Sequence, residues 1–266
     1  MTNNQQLGTA ELLFNCAAHM GLRPAWVAHG GLITITTPVG DRHLYHAKST
    51  INSQLGSSLT TNKLTTRQVM QQYGLPNIAF LNTPSRAEAE QFLATHARII
   101  VKPLKGSNSR DVRIVDSPEQ LADIHLPHYI LEKYIAGKEL RYLVLDNRII
   151  GVHESKYGES VAETRDLKRI SYPESAWDAQ LTALALKTAA VLGLRYAAVD
   201  YLIGAGGAAF ILEVNSSPSM KWFHAPTSGP KVDVARLFLE TMLNDLRPKA
   251  PVTSGRLGTL PVTAYS

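Results

Sequence analysis

Two apolar runs near the C-terminal end, 197–203 and 210–214, are separated by Gly204-Ala205-Gly206-Gly207. Runs this short and bounded by glycine read as the strands of a hairpin. Asp200 interrupts the first run, and Glu213 and Asn215 interrupt and end the second. Positions i and i+2 of a strand share a face, so Glu213 and Asn215 point the same way and a hairpin lets Asp200 face Glu213. Carboxylates among Val, Ile, Leu and Phe are costly unless their charge is compensated. A hard cation that also holds phosphate oxygens would compensate it, because Mg2+ commonly takes one or two carboxylates and fills its shell with phosphates. Glu213 and Asn215 alone could simply end a strand before the turn Ser216-Ser217-Pro218; Asp200 tips the reading toward a cation site. The glycines also fit Gly-x-Gly-x-x-Ala through Ala209, but that dinucleotide motif needs a helix directly after it, and a strand follows here.

The rest of the chain alternates short strands with helices. Thr9 can cap a helix carrying Leu12, Leu13, Cys16 and Met20 that stops at Gly21. Extended runs at 32–36 and 44–46 complete a small N-terminal α/β segment, 1–60. A helix over 64–73 ends at Gly74 with Pro76 beyond, and Thr83-Pro84 opens another. A strand at 98–104, a capping box at Ser117-Pro118-Glu119-Gln120 and a strand at 129–131 follow. Runs 140–145 and 148–153 form a hairpin on Asp146-Asn147. Ser175 caps a long helix with Trp177, Leu181, Leu184, Thr188 and Leu192 on one face, closed by Gly193. A last helix covers 232–246, and the tail 247–266, rich in Pro, Thr, Ser and Gly, is expected to be flexible.

Composition excludes several classes. No run of about 18 apolar residues occurs, so no helix is expected to span a membrane. The start Met-Thr-Asn-Asn-Gln-Gln lacks the basic and apolar parts of a signal peptide, which makes the cytoplasm the expected location. Cys16, the single cysteine, rules out an internal disulfide or a cysteine metal cluster and reads as a core residue. A net charge of +5 suits phosphate or acidic ligands. Lys and Arg are dispersed, however, so a solvated basic surface is the reading and a nucleic-acid partner is not expected. No Gly-x4-Gly-Lys-Ser/Thr loop, His-Glu-x-x-His helix or Gly-x-Ser-x-Gly elbow is present.

Two further segments carry charge at strand ends. In Val101-Lys102-Pro103-Leu104-Lys105-Gly106-Ser107-Asn108-Ser109 a lysine ends an apolar strand before a small-residue loop. Such a loop can surround phosphates with an ammonium and backbone N–H groups, although strand-end lysines are commonly just solvated. The segment 131–139, Leu-Glu-Lys-Tyr-Ile-Ala-Gly-Lys-Glu, could offer backbone to an adenine edge and Glu139 to ribose hydroxyls; charged surface hairpins look much the same.

Taken in order, Asn62-Lys63-Leu64-Thr65-Thr66, Val101-Lys102-Pro103, Glu132-Lys133-Tyr134-Ile135, Asp200 and Glu213-x-Asn215-x-x-Pro218 resemble the ATP-grasp superfamily over about 62–245. The resemblance implies an α+β fold in which two α/β lobes clasp ATP. The domain would cover 61–246, with a lid subdomain at about 95–135. It also implies roles. Lys63 and Lys102 would meet the triphosphate, beside a loop containing Gly106, Ser107 and Ser109. Glu132, Lys133, Tyr134 and Ile135 would surround adenine, and Glu139 the ribose. Asp200, Glu213 and Asn215 would hold Mg2+, with Mn2+ as an alternative ion.

Within the superfamily the chain is most similar to the ATP-grasp domains of cyanophycin synthetase and bifunctional glutathione synthetase. The likeness lies in Lys102-Pro103-Leu104-Lys105-Gly106, in Glu139-Leu140-Arg141-Tyr142-Leu143-Val144 and in 213–234 with His224-Ala225-Pro226. There are departures. Ser109 and Asp111 stand where glycine is expected, and Ala198 stands where D-alanine ligases carry an arginine. The cation that steadies a tetrahedral intermediate must then come from elsewhere, with Arg165, Lys168 and Arg169 as candidates and Arg141 as a lesser one. The implied activity joins a carboxylate to an amine through an acyl phosphate, releasing ADP and phosphate. Small-molecule or peptide substrates are expected, amino acids foremost, with pocket loops at 157–173 and 216–228. A homo-oligomer is compatible with the resemblance. The alternatives are a ligase acting on a protein or peptide terminus and a nucleotide-binding module without catalysis.

Overall fold

The computed structural model describes residues 7–28, 31–82, 84–105, 111–156 and 167–246. Helix α1 (Thr9–His19) packs on a three-stranded antiparallel sheet of β1 (Arg23–Ala28), β2 (Leu32–Thr37) and β3 (Gly40–Tyr45). Ile33 and Ile35 of β2 bury completely, as period-two alternation requires. They join Leu13 and Ala17 of α1 and Phe238, Leu239 and Met242 of the last helix in one core. Thr9 does not cap α1. Gly8 holds that position, and the Thr9 hydroxyl accepts the Met220 N–H at 3.2 Å, so a tertiary partner has displaced the local one.

Next come α2 (Gln54–Leu59), α3 (Lys63–Gln72), β4 (Phe80–Asn82), α4 (Arg86–His96), β5 (Ile99–Pro103), β6 (Arg113–Val115) and β7 (Tyr129–Lys133). Their strands form an antiparallel sheet in the order β4-β7-β5-β6, and Ala89 and Leu93 of α4 cover it. The N-cap of α4 is Ser85, in a capping box with Glu88. The expected capping box at Ser117 opens only a single 3-10 turn, Pro118–Leu121.

The third sheet is the largest. It contains β8 (Gly137–Leu145), β9 (Arg148–Lys156), β10 (Lys168–Tyr172), β11 (Tyr196–Gly204) and β12 (Ala209–Asn215), in the order β10-β9-β8-β11-β12. The β8–β9 turn places Asp146 and Asn147 at φ 49° and 60°, the left-handed pair of a type I′ turn. Helix α5 (Ala179–Val191) starts at Asp178, whose carboxylate accepts the N–H groups of Gln180 and Leu181; Ser175 lies in the 3-10 turn before it. On one face of the sheet, Tyr142, Val144, Val199 and Tyr201 meet Ala185 and Ala189 of α5. On the other, Leu143, Leu145, Tyr196 and Ala198 meet Phe223 of the short α6 (Lys221–His224) and Phe238 of α7 (Val234–Asp245). By strand alternation Arg141 and Asp200 share this second face with Leu143 and Ala198. One end of the face is therefore core, and the other end is polar.

Candidate functional site

The polar end is built by register. Ser171, His153, Arg141, Asp200 and Glu213 lie side by side on five successive strands. Arg141 holds Asp200 through two parallel bonds, Nε to Oδ1 at 2.6 Å and Nη2 to Oδ2 at 2.5 Å, and its Nη2 lies 3.8 Å from Glu213. The Asn215 amide bridges both carboxylates, 3.2 Å from Asp200 Oδ2 and 2.8 Å from Glu213 Oε1. Burial, with the charges of Glu213 and Glu139, pushes the Asp200 carboxyl up against the pull of Arg141. Glu213 is about half exposed; packing around it raises its carboxyl, but Arg141 and the Asn215 amide hold it below the usual carboxylate range. The Asn215 amide donates to both carboxylates, so the three side chains converge on one point, as the Mg2+ implied by the sequence would require. Among the described residues no three His, Cys, Asp or Glu side chains form a metal cluster. The donor set here is two carboxylates and a carboxamide, which suits an ion shared with phosphate oxygens.

A second charged group faces it from the four-stranded sheet. Glu132 of β7 is 1% exposed and accepts from Arg67 Nε at 2.8 Å and Lys102 Nζ at 2.7 Å. Burial alone would raise its carboxyl, but the two cations bring it down to about 2. Lys63 begins α3, and its backbone N–H reaches the Leu104 carbonyl at 3.0 Å. Burial lowers the Lys63 ammonium, Glu213 opposes that, and Lys102 adds to it, so the two lysines and the acid strand share one neighbourhood.

The other expected residues divide. Glu139 shares a face with Arg141 and accepts from Ser155 Oγ at 3.0 Å. Arg169 is 8% exposed on that face, its guanidinium 5.5 Å from the Trp222 ring, which joins the two expected pocket stretches. Lys168 differs. Adjacent strand residues point to opposite faces, so Lys168 is exposed on the far side from Asp200, paired in register with Lys156. The N–H groups of Lys133 and Tyr134 bond the Ala79 and Arg98 carbonyls, and the Glu132 side chain serves Arg67 and Lys102. Gly106, Ser107, Ser109 and Arg165 lie outside the described residues, as does the tail. Two residues were not legible as part of the site. Arg67 stands only at the end of the segment around Lys63, with no role implied for it, and His153 has only its place in a strand. The structure puts His153 between Arg141 and Arg169, against the Phe223 ring, with both ring nitrogens buried and unbonded.

Comparison with known proteins agrees with this geometry. Residues 60–241 match the family described as the RimK-like ATP-grasp domain. A probable alpha-L-glutamate ligase of Halorhodospira halophila is 25% identical over 226 residues, covering 78% of this chain and 71% of its own length. The ATP-grasp ligase PsnB, complexed with a minimal precursor, Mg and ADP, superposes with a TM-score of 0.60 at 20% identity, over 73% of this chain and 61% of that one. A bifunctional glutathione synthetase from Pasteurella multocida gives 0.65 at 13% identity, over 89% of this chain and 44% of its own. The chain therefore spans less than two thirds of either solved structure. The fold is the ATP-grasp fold, and with more than half of its length matched, the chain belongs to the RimK-like ATP-grasp family of ligases.

Proposed function

We propose that this chain activates a carboxylic acid with ATP and passes the acyl group to an amine, with the reaction centred on the polar end of the five-stranded sheet. The observation that carries the reading is the convergence of Asp200, Glu213 and Asn215 beside Arg141, with Lys63 and Lys102 close by. Lys63 and Lys102 offset phosphate charge as point cations, and Glu132 fixes where Lys102 stands. Asp200, Glu213 and Asn215 would hold Mg2+, which neutralises phosphate charge and aligns the γ-phosphoryl group when bound. Glu139 is the acceptor offered to the ribose, and the backbone of Lys133, Tyr134 and Ile135 is offered to adenine.

The acid's carboxylate attacks the γ-phosphorus, ADP departs, and the acyl phosphate is then attacked by the amine. Arg141 and Arg169 are the described cations on the face of Asp200 and would stabilise the oxyanion formed in the second step. The substrates are an acid and an amine of amino-acid or peptide type. Arg169 on β10 and Lys221 and Trp222 on α6 cluster in the stretches that would meet them and suit an acidic group. Isotope transfer tests the chemistry. With 18O in the carboxylate of the reacting acid, one labelled oxygen should appear in the released phosphate, and unlabelled phosphate would contradict an acyl phosphate.

A further inference from the structure

Glu213 and Ile211 are two apart on β12, so a regular strand would point both to one face. They face opposite sides. Ile211 is fully buried in register with Tyr201, while Glu213 pairs with Asp200 on the polar face. Tyr201 and Asp200 are adjacent on β11, so Leu212 is an extra residue with no partner, a β-bulge. Without that bulge the strand could not bury Ile211 and still present Glu213.

A bulge must be held, because it turns backbone groups out of the ladder and buried carbonyls left unbonded are costly. Successive carbonyls of a regular strand point to opposite edges. Here the carbonyls of Ile211 and Leu212 both accept from one guanidinium, Arg67 Nη1 at 2.6 Å and Nη2 at 2.8 Å. The planar fork of arginine suits two adjacent acceptors in a way that a lysine ammonium does not. The fork is itself oriented. Its Nε donates to Glu132 at 2.8 Å, its Nη1 to Asn77 Oδ1 at 2.9 Å, and Asn77 returns a bond to the Arg67 carbonyl at 2.8 Å. The Ile211 N–H closes the edge on the Pro76 carbonyl at 3.1 Å. Arg67 is 2% exposed and sits four residues after Lys63, one turn along the same face of α3.

We infer that Arg67 is a positioning residue for catalysis: it clamps the β12 bulge that aims Glu213 at Asp200, and through Glu132 it ties Lys102 to the same point. The inference rests on the reading of Asp200, Glu213 and Asn215 as cation ligands. It links the cation to the lysines across two sheets by one side chain that touches neither substrate nor ion.

The test measures ATP binding to the full chain by calorimetry, once in EDTA and once with Mg2+, and takes the ratio of the two affinities. Wild type, Arg67→Lys and Glu213→Ala are compared. Arg67→Lys keeps a cation beside Glu132 but cannot span both carbonyls. Its metal-free ATP affinity should stay within about twofold of wild type, while the Mg2+-dependent gain falls about 10- to 100-fold, as for outer-shell partners of a metal site. A merely structural arginine would weaken both affinities together and leave the ratio unchanged. A full Mg2+ gain in Arg67→Lys, with the gain lost in Glu213→Ala, overturns the inference and leaves the cation reading standing. A full gain in Glu213→Ala overturns both. If Arg67→Lys shows no cooperative melting, Asn77→Ala carries the test, because it frees the fork while keeping Arg67 and Glu132. An unchanged ratio there overturns the inference as well.

Discussion

Glu132 shows how one carboxylate organises its surroundings. Removing it strands the buried Arg67 and the half-buried Lys102, and breaking a buried pair in this way costs about 3–5 kcal/mol. Glu132→Ala should therefore lower the unfolding free energy measured in urea by that amount, and loss of under about 1 kcal/mol would show the pairs to be idle. Its folded carboxyl lies below the ordinary 4.5, so its contribution is complete above that value and is lost as pH falls toward about 2. His153 behaves oppositely to a paired histidine. Burial, with Arg141 and Arg169 nearby, depresses it from 6.5 to about 2, so the folded state refuses a proton that the unfolded chain accepts. Below pH 6.5 the histidine costs stability, at about 1.4 kcal/mol per pH unit. The raised Asp200 has the reverse slope, so the clean measurement is a difference. The stability of His153→Leu relative to wild type should improve by about that slope between pH 6.5 and 5, and a pH-independent difference would contradict it. Asp200, Glu213 and Asn215 were legible because i and i+2 on a strand share a face and an acid in an apolar run has to be explained. Arg67 was not, because its acceptors are carbonyls of a strand more than a hundred residues away. A signal was present nonetheless: Ile211 and Glu213, a core residue and an acid two apart, cannot both be satisfied without a bulge.

Among the elements, β8, β9, β11 and β12 were readable from apolar runs and turn residues, and the Asp146-Asn147 turn formed as its chemistry demands. Strand β10 was not readable. Lys168-Arg169-Ile170-Ser171-Tyr172 looks like loop until β9 and residues 227–228 supply its hydrogen bonds. The caps expected at Thr9 and Ser175 did not form: a tertiary partner takes the Thr9 hydroxyl, and Asp178, three positions after Ser175, caps α5 instead. The loop that closes on β10 depends on Gly229. Its φ of +89° disfavours any side chain, and a Cβ there would lie 1.9 Å from the Ser171 carbonyl oxygen. Gly229→Ala should destabilise the protein by at least about 2 kcal/mol and loosen the segment carrying Trp222 against Arg169. A melting temperature equal to wild type would show that the loop docks elsewhere.

At the scale of the molecule, the five-stranded sheet does two jobs on one face. Toward Leu145 and Tyr196 it is core, covered by α7 and Phe223; toward Arg141 and Asp200 it is charged and meets the four-stranded sheet through Arg67, Glu132 and Lys102. The ATP-grasp fold follows from the order of motifs that the sequence already displayed. The bridge between the sheets follows from side chains no motif names. The most direct test of the whole account is release of ADP and phosphate from Mg-ATP against pooled amino acids and short acidic peptides, with Glu213→Ala run beside the wild type. The expected result is release that requires an acid and an amine together and that is abolished in Glu213→Ala, while that variant still melts cooperatively. Release that ignores the pool, or that survives at the wild-type rate in Glu213→Ala, would contradict it.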